Sequence, residues 1–124
     1  MAVVLVVNDD RDMLDMYESV LEALGHQPIT KAAIHTGPET VREVGADALL
    51  VDMEAPDEAD FGLRIIQEVR EDPELEDLPI ILATGAAERV GPHLDLFDAL
   101  EVPVLIKPFP IDELEEKLRA VLDR

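Results

Sequence analysis

The chain has 124 residues, 48% of them hydrophobic, and its 29 acidic against 10 basic side chains leave a formal charge of -19. That length and apolar content suit one domain that buries its own core, while the charge argues against a nucleic-acid backbone or an anionic lipid surface as a direct partner. The absence of cysteine excludes disulfides and thiolate metal sites, leaving three histidines and the carboxylates as the side chains able to bind a metal.

The first apolar run, Val3 to Val7, lacks a basic leader and is stopped by Asn8, Asp9 and Asp10, so it is too short for a signal peptide. No later stretch has the length to span a membrane, and a soluble cytoplasmic protein is expected. Helical spacing then predicts a helix over Met13 to Leu24, with Met13, Tyr17, Val20 and Leu24 as a core stripe. A weaker strand follows at Gln27 to Thr30, then a helix over Pro38 to Val44 and a strand at Ala48 to Val51. The second half reads as a helix over Phe61 to Arg70, a strand at Ile80 to Ala83, a helical stretch near Ala87 to Leu100, and a strand at Val104 to Ile106. Within the helical stretch, Gly91-Pro92 either delays the start or kinks the helix. The last helix, Ile111 to Leu122, repeats Ile111, Leu114, Leu118 and Val121 at helical spacing.

Five strands alternating with five helices mean βαβ units, and the unbroken apolar runs mean parallel strands covered on both faces. The expected architecture is an α/β doubly wound sheet occupying residues 1–124 as one module, with no room for an output domain. In such a sheet the ligand site lies at the carboxyl ends of the strands, where strand order reverses. Those exits carry Asn8-Asp9-Asp10, Asp52, Thr84-Gly85 and Lys107-Pro108-Phe109.

Carboxylates meeting at one edge repel unless a hard cation holds them, and Mg2+ takes oxygen ligands while keeping several waters. Asp9 and Asp52 are the expected carboxylate ligands. A carboxylate beside Mg2+ can attack a phosphoryl group, so Asp52 is the expected phosphoacceptor. Thr84 would donate its hydroxyl to a phosphoryl oxygen, and Lys107 would offset the transferred charge.

Val-Val-Asn8-Asp9-Asp10, Asp52-Met-Glu-Ala-Pro56, Pro79-Ile-Ile-Leu-Ala-Thr84-Gly85 and Lys107-Pro108-Phe109 together resemble the signature of response-regulator receiver domains of two-component signalling, over essentially the whole chain. The resemblance implies a flavodoxin-like five-stranded sheet of order 2-1-3-4-5. It also matches Asp52 to the phosphorylated aspartate, Asp9 to the directly coordinating acid, and Glu54 to the residue whose main-chain carbonyl completes the Mg2+ site. Thr84 and Lys107 match the two residues that sense the phosphoryl group, and Pro108 matches a cis proline. The donor implied is a phosphohistidine on a sensor histidine kinase or phosphotransfer protein. The chain would then be a phosphoacceptor rather than an enzyme, shedding phosphate slowly to water and signalling through a downstream protein or onward relay.

Four departures stand out. Asn8 occupies the position of the family's first acid, which acts on the metal largely through water, so weaker Mg2+ binding is expected. Val104 stands where the family places an inward-swinging Tyr or Phe, so that aromatic switch is missing. Gly62 corresponds to a glycine that normally follows Pro56 closely, which makes Asp57 to Phe61 a longer acidic loop. Gly85 replaces a common alanine.

The main alternative is a pseudo-receiver, an interaction module with this fold that is not phosphorylated. An aspartate-nucleophile phosphatase of the haloacid dehalogenase type would carry its nucleophile first and its acidic pair last, the reverse of Asp9 and Asp52. A flavodoxin would need a hydroxyl- and glycine-rich loop after the first strand. Asp10 is expected only to cap a helix, His26, His35 and His93 to be solvated loop residues, and Glu71 to Asp77 to be a solvated loop.

Overall fold

The computed structural model describes residues 1–122, so the last two positions of the expected 1–124 module lie outside the described residues. Its elements in chain order are β1 (Val3–Val7), α1 (Arg11–Ala23), β2 (Gln27–Lys31), α2 (Gly37–Val44), β3 (Ala48–Val51) and α3 (Phe61–Glu71). They continue with β4 (Ile80–Thr84), α4 (Ala87–Val90), a 3-10 turn (Gly91–His93), α5 (Leu94–Ala99), β5 (Val104–Ile106) and α6 (Ile111–Leu122). The strands form one parallel sheet of order β2-β1-β3-β4-β5. Leu5 pairs with Ile29 on one side and Leu49 on the other, and Leu82 pairs with both Val51 and Val104. Order reverses between β1 and β3, so both strands deliver their exits to the same crevice.

Alternation along each strand divides the core in two. Leu5, Val7, Leu49, Val51, Ile80 and Leu82 pack against Val41 of α2, Phe61, Ile65 and Val69 of α3, Val90 of α4 and Phe97 of α5. Val4, Val6, Leu50, Ile81, Ala83 and Leu105 pack against Leu14, Tyr17 and Leu21 of α1 and Leu114, Leu118 and Val121 of α6. Each fully buried aliphatic or aromatic side chain contributes roughly 1.5–3 kcal/mol. Strands buried on both faces therefore need no polar alternation, which is why they read as continuous apolar runs.

Local chemistry sets the element boundaries. Helix α1 begins at Arg11 rather than Met13, because the Asp10 side chain accepts from the amides of Asp12 at 2.9 Å and Met13 at 3.3 Å. Helix α2 ends at Gly45, whose left-handed φ of 67° favours glycine. The fourth crossover is divided into α4, the 3-10 turn and α5. Pro92 has no N–H to continue an α-helix, so the chain turns there while Val90 and Phe97 still reach the core. His26 is not merely solvated: its Nδ1 accepts from the Ala2 amide at 3.0 Å. Nor is the 71–77 segment wholly solvent-facing, since Arg42 pairs with Asp72 and Glu74 and Leu75 packs on the core.

The acidic loop after β3 is folded back by two backbone hydrogen bonds between Ala55 and Glu58, 2.9 and 3.1 Å long. Arg64 grips it with a fork of two bonds to Glu58, 2.6 and 3.0 Å, and also donates to Glu68 at 2.8 Å and to the His35 carbonyl at 3.0 Å. The bond from Arg64 holds the Glu58 carboxyl below its ordinary pKa. A lowered carboxylate pKa stabilises the fold above the unfolded-state value and loses that effect as pH falls through the folded-state value. Replacing Arg64 with Met is therefore expected to cost about 1 kcal/mol near neutral pH, a half-exposed network being weakened by solvent. The penalty should shrink as Glu58 is protonated in acid, and thermal unfolding of the two proteins at pH 7 and pH 3 checks it; a pH-independent gap would refute the electrostatic account.

Candidate functional site

The sheet gathers the predicted exits at one edge. Asp52 follows β3 directly and is mostly buried, with 15% of its side chain exposed. Three donors converge on its carboxylate. Lys107 Nζ lies 3.2 Å from Oδ2, Asn8 Nδ2 donates to the same oxygen at 3.3 Å, and the Glu54 amide donates to Oδ1 at 3.3 Å. Lys107 reaches it because its own amide donates to the Thr84 carbonyl at 2.8 Å, fixing the exit of β5 beside that of β4. The Lys107-Pro108 peptide bond is cis.

Asp9 is exposed on the rim, and with Asp52, Glu54, Ala55, Pro56, Thr84, Gly85 and Ala86 it lines an open cleft of about 410 Å³. Thr84 is 1% exposed, and its Oγ1 accepts from the Ala86 amide at 3.1 Å, which leaves its hydroxyl proton available to a ligand in the cleft. Asp9, Asp52, Glu54 and Thr84 thus share one cavity. Lys107 borders a separate apolar hollow with Met13, Met16, Pro108 and Phe109 and meets the first group through Asp52. Val104 is half-buried against the α2–α5 side of the core.

Asn8 does more than its position implied. Its Oδ1 accepts from the Asp10 amide at 2.8 Å, which turns its Nδ2 toward Asp52, so a neutral donor touches the carboxylate where a second negative charge is expected from the resemblance. Arg89 was not singled out by the sequence, yet its Nε donates to Glu54 Oε2 at 3.2 Å and ties α4 to the loop after β3. A separation of 35 positions leaves no local pattern that announces the pair.

Among the described residues no three His, Cys, Asp or Glu side chains converge as a metal cage. The oxygens present fit a different kind of site. Two carboxylates, Asp9 and Asp52, line an open cleft together with Glu54, a set suited to an ion that retains several waters.

The family comparison agrees with the fold. The response regulator receiver domain family matches residues 4–119, and the chain belongs to that family. It is 29% identical over 123 residues to a chemotaxis protein CheY homolog of Campylobacter jejuni, covering 95% of this chain and 90% of that protein. It is 33% identical to the response regulator MprA of Mycobacterium ulcerans, where 98% of this chain spans 50% of the relative. Among solved structures, TrrA of Thermotoga maritima, described in complex with Mg2+ and BeF, superposes with a TM-score of 0.76 at 26% identity, covering 98% of this chain and 99% of that one. The receiver domain of a Pseudomonas aeruginosa sensor histidine kinase, described with a magnesium ion in its active-site cleft, gives 0.75 at 25% identity over 99% and 98% of the two chains. Among the described residues no helix is long and apolar enough to cross a membrane.

Proposed function

We propose that this chain is a phosphoacceptor of two-component signalling, in which Asp52 takes a phosphoryl group from a phosphohistidine on a sensor histidine kinase or phosphotransfer protein. The observation that carries the reading is the Asp52 carboxylate, held by Lys107 at 3.2 Å and opening onto a cleft shared with Asp9 and Thr84. An Asp52 oxygen attacks phosphorus, the bond from phosphorus to the histidine nitrogen breaks, and the nitrogen keeps its electron pair. Lys107 and the Thr84 hydroxyl take up the charge of the transferred oxygens as they arrive. Asp9, Asp52 and the Glu54 carbonyl would hold Mg2+, which when bound neutralises phosphate oxygens. Slow loss of the group to water returns the site to its starting state. Output passes to a protein partner, and the acidic Asp57–Phe61 loop beside the cleft helps select it; the chain works in the cytoplasm.

The test is intact-mass analysis after incubation with Mg2+ and a small acyl phosphate or phosphoramidate. One Mg2+-dependent phosphoryl adduct is expected on the wild-type chain and none on Asp52→Asn. Absence of an adduct with every donor would shift the assignment to a pseudo-receiver that docks constitutively. Two observations favour that second reading: the Asn8 amide occupying Asp52 Oδ2, and Val104 in place of an aromatic.

A further inference from the structure

Tyr17 is the only tyrosine in a chain without tryptophan. It is 1% exposed within the α1–α6 half of the core, and its phenol is the one buried side-chain oxygen or nitrogen, among the described residues, that has no protein hydrogen-bond partner. An unpaired buried hydroxyl is destabilising, and Phe would fill the same space without that penalty.

Several observations place Tyr17 beside the site. Tyr17 packs in one cluster with Val6, Leu50, Ala83 and Leu105. Continuing the strand alternation two residues from Val6, Leu50 and Leu105 leads to Asn8, Asp52 and Lys107, the three residues joined at Asp52 Oδ2. Met13, one turn earlier on the same face of α1, shares a hollow with Lys107. Burial first, and then the Asp52 charge, hold the phenol's pKa above the ordinary tyrosine value.

We propose that Tyr17 is a positioning residue of the Asp52 site, whose hydroxyl hydrogen-bonds to the Asp52–Lys107 pair when the charge on Asp52 changes and so links the site to α1. The inference deepens the phosphoacceptor reading and rests on it for its biological meaning. At rest Asp52 Oδ2 already has Lys107 and Asn8 as donors, so the phenol is not needed there. A phosphoryl group draws Lys107 toward its oxygens and removes part of that donor set. A rigid buried phenol can then supply the missing bond with little further loss of side-chain freedom. The chain has no aromatic at Val104, and in this account its responding aromatic stands on α1.

With a single tyrosine and no tryptophan, absorbance and fluorescence in the tyrosine band, to the red of the phenylalanine absorption, report on Tyr17 alone. The spectra to compare are those of the wild type, the wild type treated with Mg2+ and a small acyl phosphate, and Asp52→Asn, with intact mass recorded on each sample. The inference expects a tyrosine absorbance shift on Asp52→Asn, on adduct formation, or on both, and a change of about threefold or more in the rate of adduct formation for Tyr17→Phe when adduct forms. Identical tyrosine spectra in all three samples would overturn it, even if mass shows a full adduct and the phosphoacceptor reading stands. A shifted Asp52→Asn spectrum without any adduct supports the coupling of Tyr17 to Asp52 while removing the phosphoacceptor role. Spectrum and mass thus decide the two claims separately.

Discussion

Gly62→Ala is expected to destabilise the chain by about 3 kcal/mol, the upper end of the usual overpacking range, and to lower its melting temperature by roughly 10 °C. A Cβ on Gly62 would lie 2.5 Å from the Asp52 carbonyl oxygen and 2.8 Å from Met53 Cα. Both neighbours are backbone, so no rotamer change relieves the clash. The approach is also fixed by a hydrogen bond, since the Gly62 amide donates to the Met53 carbonyl at 2.8 Å. Because the atom struck belongs to Asp52 itself, the folded fraction of Gly62→Ala should also accept phosphate more slowly. Gly85→Ala is the matched control: a Cβ at Gly85 would meet nothing within 4 Å, and a change within about 0.5 kcal/mol is expected. Thermal unfolding of the two variants side by side decides the matter, and equal melting temperatures would show that the α3 start has room to move.

Asn8→Asp is expected to exchange stability without metal for metal affinity. Asn8 is 4% exposed, and its amide donates to Asp52 Oδ2 at 3.3 Å. An aspartate there keeps an acceptor for the Asp10 amide but loses the donor and sets a second negative charge against Asp52. Two like charges about 4 Å apart repel by roughly 4 kcal/mol at an effective dielectric of 20, an upper figure because Lys107 offsets part of it. A net loss of about 1–3 kcal/mol without divalent cation is expected, recovered when Mg2+ is added. The same repulsion is relieved by the ion, so Mg2+ affinity should rise about tenfold, equivalent to about 1.4 kcal/mol. Melting curves with and without MgCl2, together with a Mg2+ titration, measure both halves; unchanged affinity would mean that Asn8 does not limit the site.

The strands were readable because each is buried on both faces and so stands out as an apolar run, and the four motifs were readable because each follows one of those runs. Boundaries were less so. The apolar spacing of α1 first shows at Met13, whereas the Asp10 cap starts the helix at Arg11, and periodicity does not register the two polar residues Arg11 and Asp12. Gly91-Pro92 posed a choice, because a proline is compatible with the first turn of a helix as well as with a break. The structure takes the break, with Val90 and Phe97 holding the two pieces on the core.

By itself the sequence determined the parallel doubly wound architecture, and with it the meeting of Asn8, Asp9, Asp52, Thr84 and Lys107 at one edge, because that topology sends every strand exit to the same side of the sheet. Only the tertiary structure decided what those residues do to one another. The amide of Asn8 and the ammonium of Lys107 meet on one Asp52 oxygen across separations of 44 and 55 residues, Arg89 reaches Glu54 across 35, and the Tyr17 hydroxyl is enclosed without a hydrogen-bond partner among the described residues. Such contacts turn on side-chain directions and differences of a few tenths of an ångström between distant segments, which local pattern does not encode and packing of the two half-cores settles.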